Sequence, residues 1–343
     1  MIREPDAARS AASDWPPARI APESYPGDCP PGHYLLCGDR IFPLAENGVE
    51  NGAGNGYDLV TASGEQVGLD AFLAESGATP VADRFPVLAY GANRNPGTLA
   101  IKFRHHGTQG QLGGDCIPVL KATLRGADVA ACRLHGHGYF YGELLVASPF
   151  TAGTEIEVRV VLADLGQLRA LNESEGLRQG MYSAAIVSDV QVSGLGRPIS
   201  TLAYAANTRV WSSPVTGTPV GYSVIPATGR RYPAMTSRQL MDHVLDTCGL
   251  RPAASRITGL ANDDALAHEI SKYLNGQWWY QFNSHDAPIP GYADLLTLVN
   301  SAMDASTVDD HSRDRLAAAG MVLETSEAFA PSGSLRLGAM LSR

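Results

Sequence analysis

VLAYGANRNPGTL, residues 87–99, is a hydrophobic strand running into a tight glycine-containing loop and then into the start of a helix. The strand signal begins at FPVLAY, 85–90. Asn95 suits the cap of the helix and Pro96 its first position, so a helix is expected over about 97–104. Such a turn exposes several backbone N–H groups, and a helix start adds partial positive charge. The combination suits a carboxylate or a phosphate. The alternative is a plain strand–loop–helix junction with no ligand.

Outward from this stretch the chain is rich in strands. IPVLKATL (117–124), ADVAACRL (127–134), YFYGELLV (139–146) and EIEVRVVL (155–162) carry branched and aromatic side chains in short runs, followed by SAAIVSDVQV (183–192) and TLAYAA (201–206). Leu165, Leu168 and Leu171 fall at helical spacing between them. Upstream, HYLLCGDRIFPL (33–44) predicts one or two short strands, ENGVENGAGNG (46–56) a turn-rich loop, and 67–75 a short helix. Residues 1–32, rich in Pro, Ala, Ser and Gly, are expected to be extended unless they lie against the body. Downstream, TSRQ (236–239) is a capping box opening an amphipathic helix to about Cys248. Asn262 is a candidate cap for a second helix ending near Asn275, and 293–303 and 313–323 predict two more. The expected class is α+β: a twisted mixed sheet closing toward a barrel with flanking helices, plus a mainly helical C-terminal region. The expected division is 1–84 as a partly irregular N-terminal extension, 85–235 as the central domain and 236–343 as the helical region.

LNESEGLRQGMYSAAIV, 171–187, is the second stretch that bears on chemistry. It places Glu173 and Glu175 at the end of a helix, then Gly176, then a strand from about Tyr182. A carboxylate at a helix C-terminus faces the unfavourable end of the dipole, and burial disfavours its charge further. The alternative is a pair of solvated loop glutamates.

Taken together the two stretches resemble the γ-glutamylcyclotransferase and AIG2-like family. The first signature of that family, a strand followed by YGSN, has its counterpart in Tyr90, Gly91, Ala92 and Asn93. The second, L-D-x-x-E-G followed by a Gly and a Tyr, has its counterpart in Leu171 to Gly176 with Gly180 and Tyr182. The resemblance covers about 85–231. It implies that Glu175, not Glu173, is the catalytic general acid and base, that the loop Tyr90–Asn93 cradles the substrate with Tyr182 nearby, and that no cofactor is needed. Three positions depart from the pattern: Ala92 stands for a serine, Arg94 for an apolar residue and Asn172 for an aspartate.

The activity this implies is release of 5-oxoproline and an amine from a γ-glutamyl amine or peptide. The alternatives are hydrolysis or acyl transfer on another small amide, or a binding module with a vestigial pocket. The formal net charge of −9 argues against broad binding to nucleic acid or to anionic membranes. No apolar run has the length of a membrane span, and the N-terminus has no apolar core of a secretory signal. A cytoplasmic protein with a small-molecule partner is expected, with the C-terminal helices offering a surface for self-association. Cys29, Cys37, Cys116, Cys132 and Cys248 show no CxxC spacing and are expected as free thiols. His135 and His137 have a spacing that permits metal binding but lack a third ligand, so no metal is expected. Arg104, His105 and His106 are expected as a solvated helix end rather than a site for an acidic substrate. Trp278, Trp279 and Tyr280 are expected in a core or an interface.

Overall fold

EIEVRVVLA shows how one segment serves two cores. Side chains of a strand alternate between faces. Ile156, Val158, Val160 and Leu162 enter one apolar cluster while Val161 and Ala163 enter another. Only a strand covered on both sides can run apolar without a break.

The structure, a computed structural model, describes residues 10–47, 56–61, 63–105, 116–284, 291–307, 312–318 and 321–342. In chain order, β1 (Ser10–Ala11), the hairpin β2 (His33–Cys37) and β3 (Arg40–Glu46), β4 (Tyr57–Val60), β5 (Gln66–Gly68) and α1 (Leu69–Glu75) precede β6 (Phe85–Ala89) and α2 (Pro96–His105). Then come β7 (Cys116–Arg125), β8 (Ala127–Leu134), β9 (Phe140–Val146), β10 (Glu155–Ala163), α3 (Leu165–Ser174), β11 (Tyr182–Val192) and β12 (Ile199–Ala206). The short strands β13 (Gly221–Tyr222), β14 (Ala227–Thr228) and β15 (Ala234–Met235) lead to α4 (Ser237–Thr247), α5 (Arg251–Thr258), α6 (Leu266–Ser284), α7 (Tyr292–Asp304), α8 (Ser312–Ala318), α9 (Thr325–Phe329) and α10 (Leu337–Leu341).

The class is mixed α and β, with a large twisted mixed sheet of eleven strands in the order β14-β10-β6-β12-β11-β7-β2-β3-β4-β5, with β1 on β3. β10 also pairs β7, so β10, β6, β12, β11 and β7 form a closed circuit of hydrogen-bonded neighbours. All these pairs are antiparallel except β6 with β12, where Leu202 stands opposite Val87. The sheet also runs across residue 85: β2 pairs β7 with Leu36 opposite Ile117, and β3 to β5 follow. A second sheet has the order β15-β13-β8-β9.

On one face, Leu99 and Phe103 of α2 and Leu168 and Leu171 of α3 pack against Val87, Val161 and Tyr204. On the other, the β8–β9 hairpin meets α4, α6 and α7 through Leu134, Phe140, Leu240, Ile270, Leu295 and Val299. The capping box at α4 forms as its sequence dictates: the Gln239 N–H donates to Thr236 Oγ1 at 3.3 Å and the Thr236 N–H to Gln239 Oε1 at 2.9 Å. α5 was not expected, and α6 starts later and runs further than the sequence suggested. The helix expected over 313–323 ends at Ala318. Residues 321–323 are instead extended along β11, where the Ile186 N–H donates to the Met321 carbonyl and the Leu323 N–H to the Ala184 carbonyl at 2.8 and 2.9 Å. Sheet pairing there takes backbone groups that a helix would have used. Most of the expected turn-rich loop at 46–56 lies outside the described residues. Among the described residues no helix is long and apolar enough to cross a membrane.

The expectation of free thiols fails for one pair. Cys37 of β2 and Cys116 of β7 stand directly opposite in the antiparallel ladder and are joined as a disulfide. Cys29, Cys132 and Cys248 are free.

Candidate active site

β6 delivers Tyr90 into the interior, where its hydroxyl donates to the Tyr204 carbonyl. The chain then makes a 3-10 turn over Ala92–Arg94 before α2 begins at Pro96. Asn95 fixes this join: its Oδ1 accepts from the Thr98 N–H at 2.8 Å, and its Nδ2 donates to the Asp28 carbonyl at 2.8 Å. The N–H groups of Gly91, Ala92 and Asn93 donate to no described residue. Space at Gly91 is tight: a Cβ there would sit 3.1 Å from the Tyr25 hydroxyl, which would have to shift by a few tenths of an ångström.

Glu175 reaches the same place from α3. That helix starts at a capping box between Asp164 and Gln167 and ends with Glu175 as its C-cap. Gly176 follows at φ +64°, the left-handed conformation that suits glycine at a helix end. The Asn93 Nδ2 donates to Glu175 Oε1 at 2.9 Å, and the Lys102 ammonium donates to the same oxygen. Glu175 Oε2 accepts no hydrogen bond among the described residues. The Glu175 side chain is 14% exposed and that of Lys102 11%. Glu173, two residues earlier, is instead ion-paired with Arg178 at 2.9 Å, where both side chains are exposed.

Tyr90, Gly91, Ala92, Asn93, Glu175 and Tyr182 all line one cavity of about 530 Å³. The structure thus brings the expected site residues together from strands, loop and helix. Lys102 was not expected. It lies one helical turn beyond Thr98, which also lines the cavity, and that i, i+4 spacing on α2 was the available signal.

Much of the remaining lining is aromatic. Tyr139 and His135 are stacked with ring centroids 5.1 Å apart, and His135 and His137 with centroids 5.0 Å apart, all within about 10° of parallel. Tyr25, from the N-terminal segment, stacks on Tyr139 at 4.7 Å, and Trp278 of α6 meets His137 at 3.8 Å. Trp278 is therefore a wall of the cavity, not only part of a core; the side chains of Trp279 and Tyr280 lie outside the described residues. Arg19 lines the same region. Burial, helped by the Arg19 charge, holds the His135 pKa down at about 4. Burial and His135 hold His137 at about 3. Burial pushes Tyr141 up to about 12, and raises Tyr25, Tyr90 and Tyr139 as well. At neutral pH the wall is uncharged apart from Arg19. Among the described residues no group of three or more His, Cys, Asp or Glu is placed to hold a metal.

Two of the three departures from the family pattern have structural counterparts. Asn172 is buried; its Oδ1 accepts from the Tyr204 hydroxyl at 2.8 Å and its Nδ2 donates to the Ala328 carbonyl at 2.9 Å. An aspartate could not make the second bond. Arg94 turns away from the cavity, with its Nη2 3.0 Å from Cys29 Sγ. Ala92 lines the cavity without the hydroxyl of a serine. Arg104 is exposed on α2, the His105 side chain lies outside the described residues, and so does His106.

No protein-family model and no curated protein matches the sequence. Solved structures similar to this chain include an uncharacterized protein from Homo sapiens, 15% identical over 56% of this chain and 98% of that one, with a TM-score of 0.28. A gamma-glutamyl cyclotransferase is also among them, at 13% identity, 55% of this chain, 98% of that chain and a TM-score of 0.28. YkqA from Bacillus subtilis is 12% identical over 72% of this chain and 71% of its own, with a TM-score of 0.27.

Proposed function

We propose that this protein releases 5-oxoproline and an amine from a γ-glutamyl amide, with Glu175 as general acid and base. The observation that carries this reading is the carboxylate on the cavity wall. Asn93 and Lys102 hold Oε1, which fixes the group and leaves Oε2 for proton transfer. Exposed Glu173 has no such setting.

The reaction is intramolecular. The substrate's α-ammonium gives a proton to Glu175, and the freed nitrogen attacks the side-chain carbonyl carbon of the same molecule. A five-membered ring closes. Because nucleophile and electrophile are tethered, the site has only to fold the substrate into line. The carbonyl oxygen gains charge as the ring forms, and the N–H groups of the 91–93 loop are the donors available to it or to the substrate's α-carboxylate. Glu175 then returns that proton to the departing nitrogen as the carbon–nitrogen bond breaks, and the second proton that the ring nitrogen must lose passes the same way, so that the amine leaves as an ammonium. Atoms and protons balance with no added co-reactant.

The test is incubation of the purified chain with γ-glutamyl amides and mass spectrometry of the products. 5-Oxoproline together with free amine is expected. Free glutamate in its place would mean hydrolysis on the same carboxylate, and no product from any amide would overturn the reading.

A further inference from the structure

β9 carries a carboxyl group that the proposed chemistry does not use. Glu143 is 1% exposed and stands opposite Ala130 in the β8–β9 ladder. Ala130 belongs to a small apolar cluster with Cys132, Leu145 and Val210. Residues two apart on a strand share a face, so Glu143 lies on the face of Leu145, among apolar neighbours. Its Oε2 accepts from the Ala206 N–H of β12 at 2.7 Å, and its Oε1 has no hydrogen-bond partner among the described residues. The bond to Ala206 joins the second sheet to the large one.

The Ala206 N–H needs that partner because of how the large sheet ends. β6 runs beside β12 where Val87 stands opposite Leu202, then turns away into the 90–93 loop. Successive residues of a strand direct their backbone groups to opposite sides. The Asn207 N–H donates to the Met181 carbonyl on the β11 side at 3.1 Å, so Tyr204 and Ala206 point to the side that β6 has left. Buried backbone groups must find partners, and side chains supply them: the Tyr90 hydroxyl donates to the Tyr204 carbonyl, and Glu143 accepts from Ala206. The strand held in this way continues directly into Asn207 and Thr208, and Ala206 stands opposite Tyr182. Asn207, Thr208 and Tyr182 all line the cavity.

We infer, resting on the cyclotransferase reading, that Glu143 is a positioning residue of the site: as an uncharged acid it holds the end of β12, and through it Tyr182, Asn207 and Thr208, in place on the cavity wall. The titratable groups that face it are Cys132 from β8, Tyr90 from the end of β6 and Tyr141 on β9 itself, and burial keeps each of them neutral near pH 7. Burial also pushes the Glu143 carboxyl well above the usual carboxylate range, against the pull of the Ala206 and Leu144 backbone. An ionised Glu143 would be an unpaired buried charge, relieved only by admitting water or by moving out of the cluster. Either change loosens the end of β12, so the site has an upper pH limit built into its support.

The experiment uses the full chain and two substitutions. Glu143→Leu removes the acceptor; Glu143→Gln keeps an acceptor oxygen and cannot ionise. At neutral pH Glu143→Leu should lower kcat/KM for 5-oxoproline release by about 10–10²-fold, the scale of a small misplacement of site residues, and Glu143→Gln should restore most of that loss. Circular dichroism checks that both are folded. Parent and Glu143→Gln are then compared between about pH 5 and 9 by urea melts and by kcat/KM, a comparison that does not depend on the leucine variant folding. The folded parent keeps a proton that an unfolded glutamate releases near 4.5, so the stability Glu143 contributes is full below that pH and falls as the pH rises. The urea midpoint of Glu143→Gln should therefore gain on that of the parent with rising pH, and the parent should lose activity at a lower alkaline pH than the variant. A folded Glu143→Leu with the parent's kcat/KM, a constant difference between the midpoints, or coincident alkaline limbs would each overturn the inference and leave the cyclotransferase reading standing. Absence of 5-oxoproline from the parent would overturn both.

Discussion

Glu173 and Glu175 carry the same charge two residues apart, yet one is paired with exposed Arg178 and the other is held by Asn93 and Lys102 on the wall of a cavity. Glu175→Gln should therefore lower turnover by roughly 10²–10⁴-fold with the fold intact, the range for losing a positioned acid–base group. Glu173→Gln should keep most of the activity. Initial rates of 5-oxoproline release and circular dichroism check both, and inactivation by the second change but not the first would mean that the motif is misaligned. The proposed proton transfers need only a carboxylate, so the rate should also survive EDTA. Loss of activity on chelation and its return with zinc would move the chemistry toward His135 and His137. At this scale the sequence was legible where a motif fixed the spacing: Glu175 and the 90–93 loop were found because two signatures occur in order. Lys102 was not, because a single lysine on a helix has solvent as its default, and only its phase relative to Thr98 places it inside.

The β8–β9 hairpin and α3 carry most of what the elements contribute. In the hairpin, His135 is neutral in the folded chain down to about pH 4, whereas an unfolded histidine takes up its proton near 6.5. Below 6.5 the unfolded state binds more protons, so the stability His135 contributes is complete above that pH and is lost as the pH falls toward 4. The loss is on the order of 3 kcal/mol from this residue. Urea melts of the parent and of His135→Gln between pH 7 and 4 should converge as the pH drops; parallel curves would contradict the assignment. In α3, Asn172 joins the Tyr204 hydroxyl to the Ala328 carbonyl of α9. Asn172→Asp should destabilise the chain by about 1–3 kcal/mol or more, since a carboxylate would face a carbonyl without a donor. Urea unfolding reads this directly, and an unchanged midpoint would show that the bond to Ala328 contributes nothing. Most strands and the capped helices were legible from period and caps. The C-terminal end was not, because Met321 to Leu323 have a sequence compatible with a helix and only the nearby β11 selects the extended form.

Across the whole molecule, the cavity draws walls from parts of the chain that carry no motif. Arg19 and Tyr25 come from the Pro- and Ala-rich start, and Trp278 from α6. Nothing in their local sequence marks them as cavity walls; what places them is tertiary packing, such as the Gly142 N–H donating to the Tyr25 hydroxyl at 2.8 Å. Deleting residues 1–30 should therefore abolish or strongly reduce 5-oxoproline release and also lower the melting temperature, because Tyr25 is buried between Tyr139 and Tyr222. A truncated chain that kept its full kcat/KM would show that the N-terminal wall is dispensable.

That dispersal of the walls has a consequence for how the protein comes into being. During translation the segment bearing Arg19 and Tyr25 leaves the ribosome before both signature motifs, and these are out well before α6. A nascent chain that already contains Asn93 and Glu175 still lacks Trp278, and Asn172 still lacks Ala328. The pocket gains this wall only when α6 has been synthesised and has docked, so a shorter nascent chain would hold the chemical groups without the enclosure that orients a substrate. The proposed activity would then depend on α6 as well as on the central stretch.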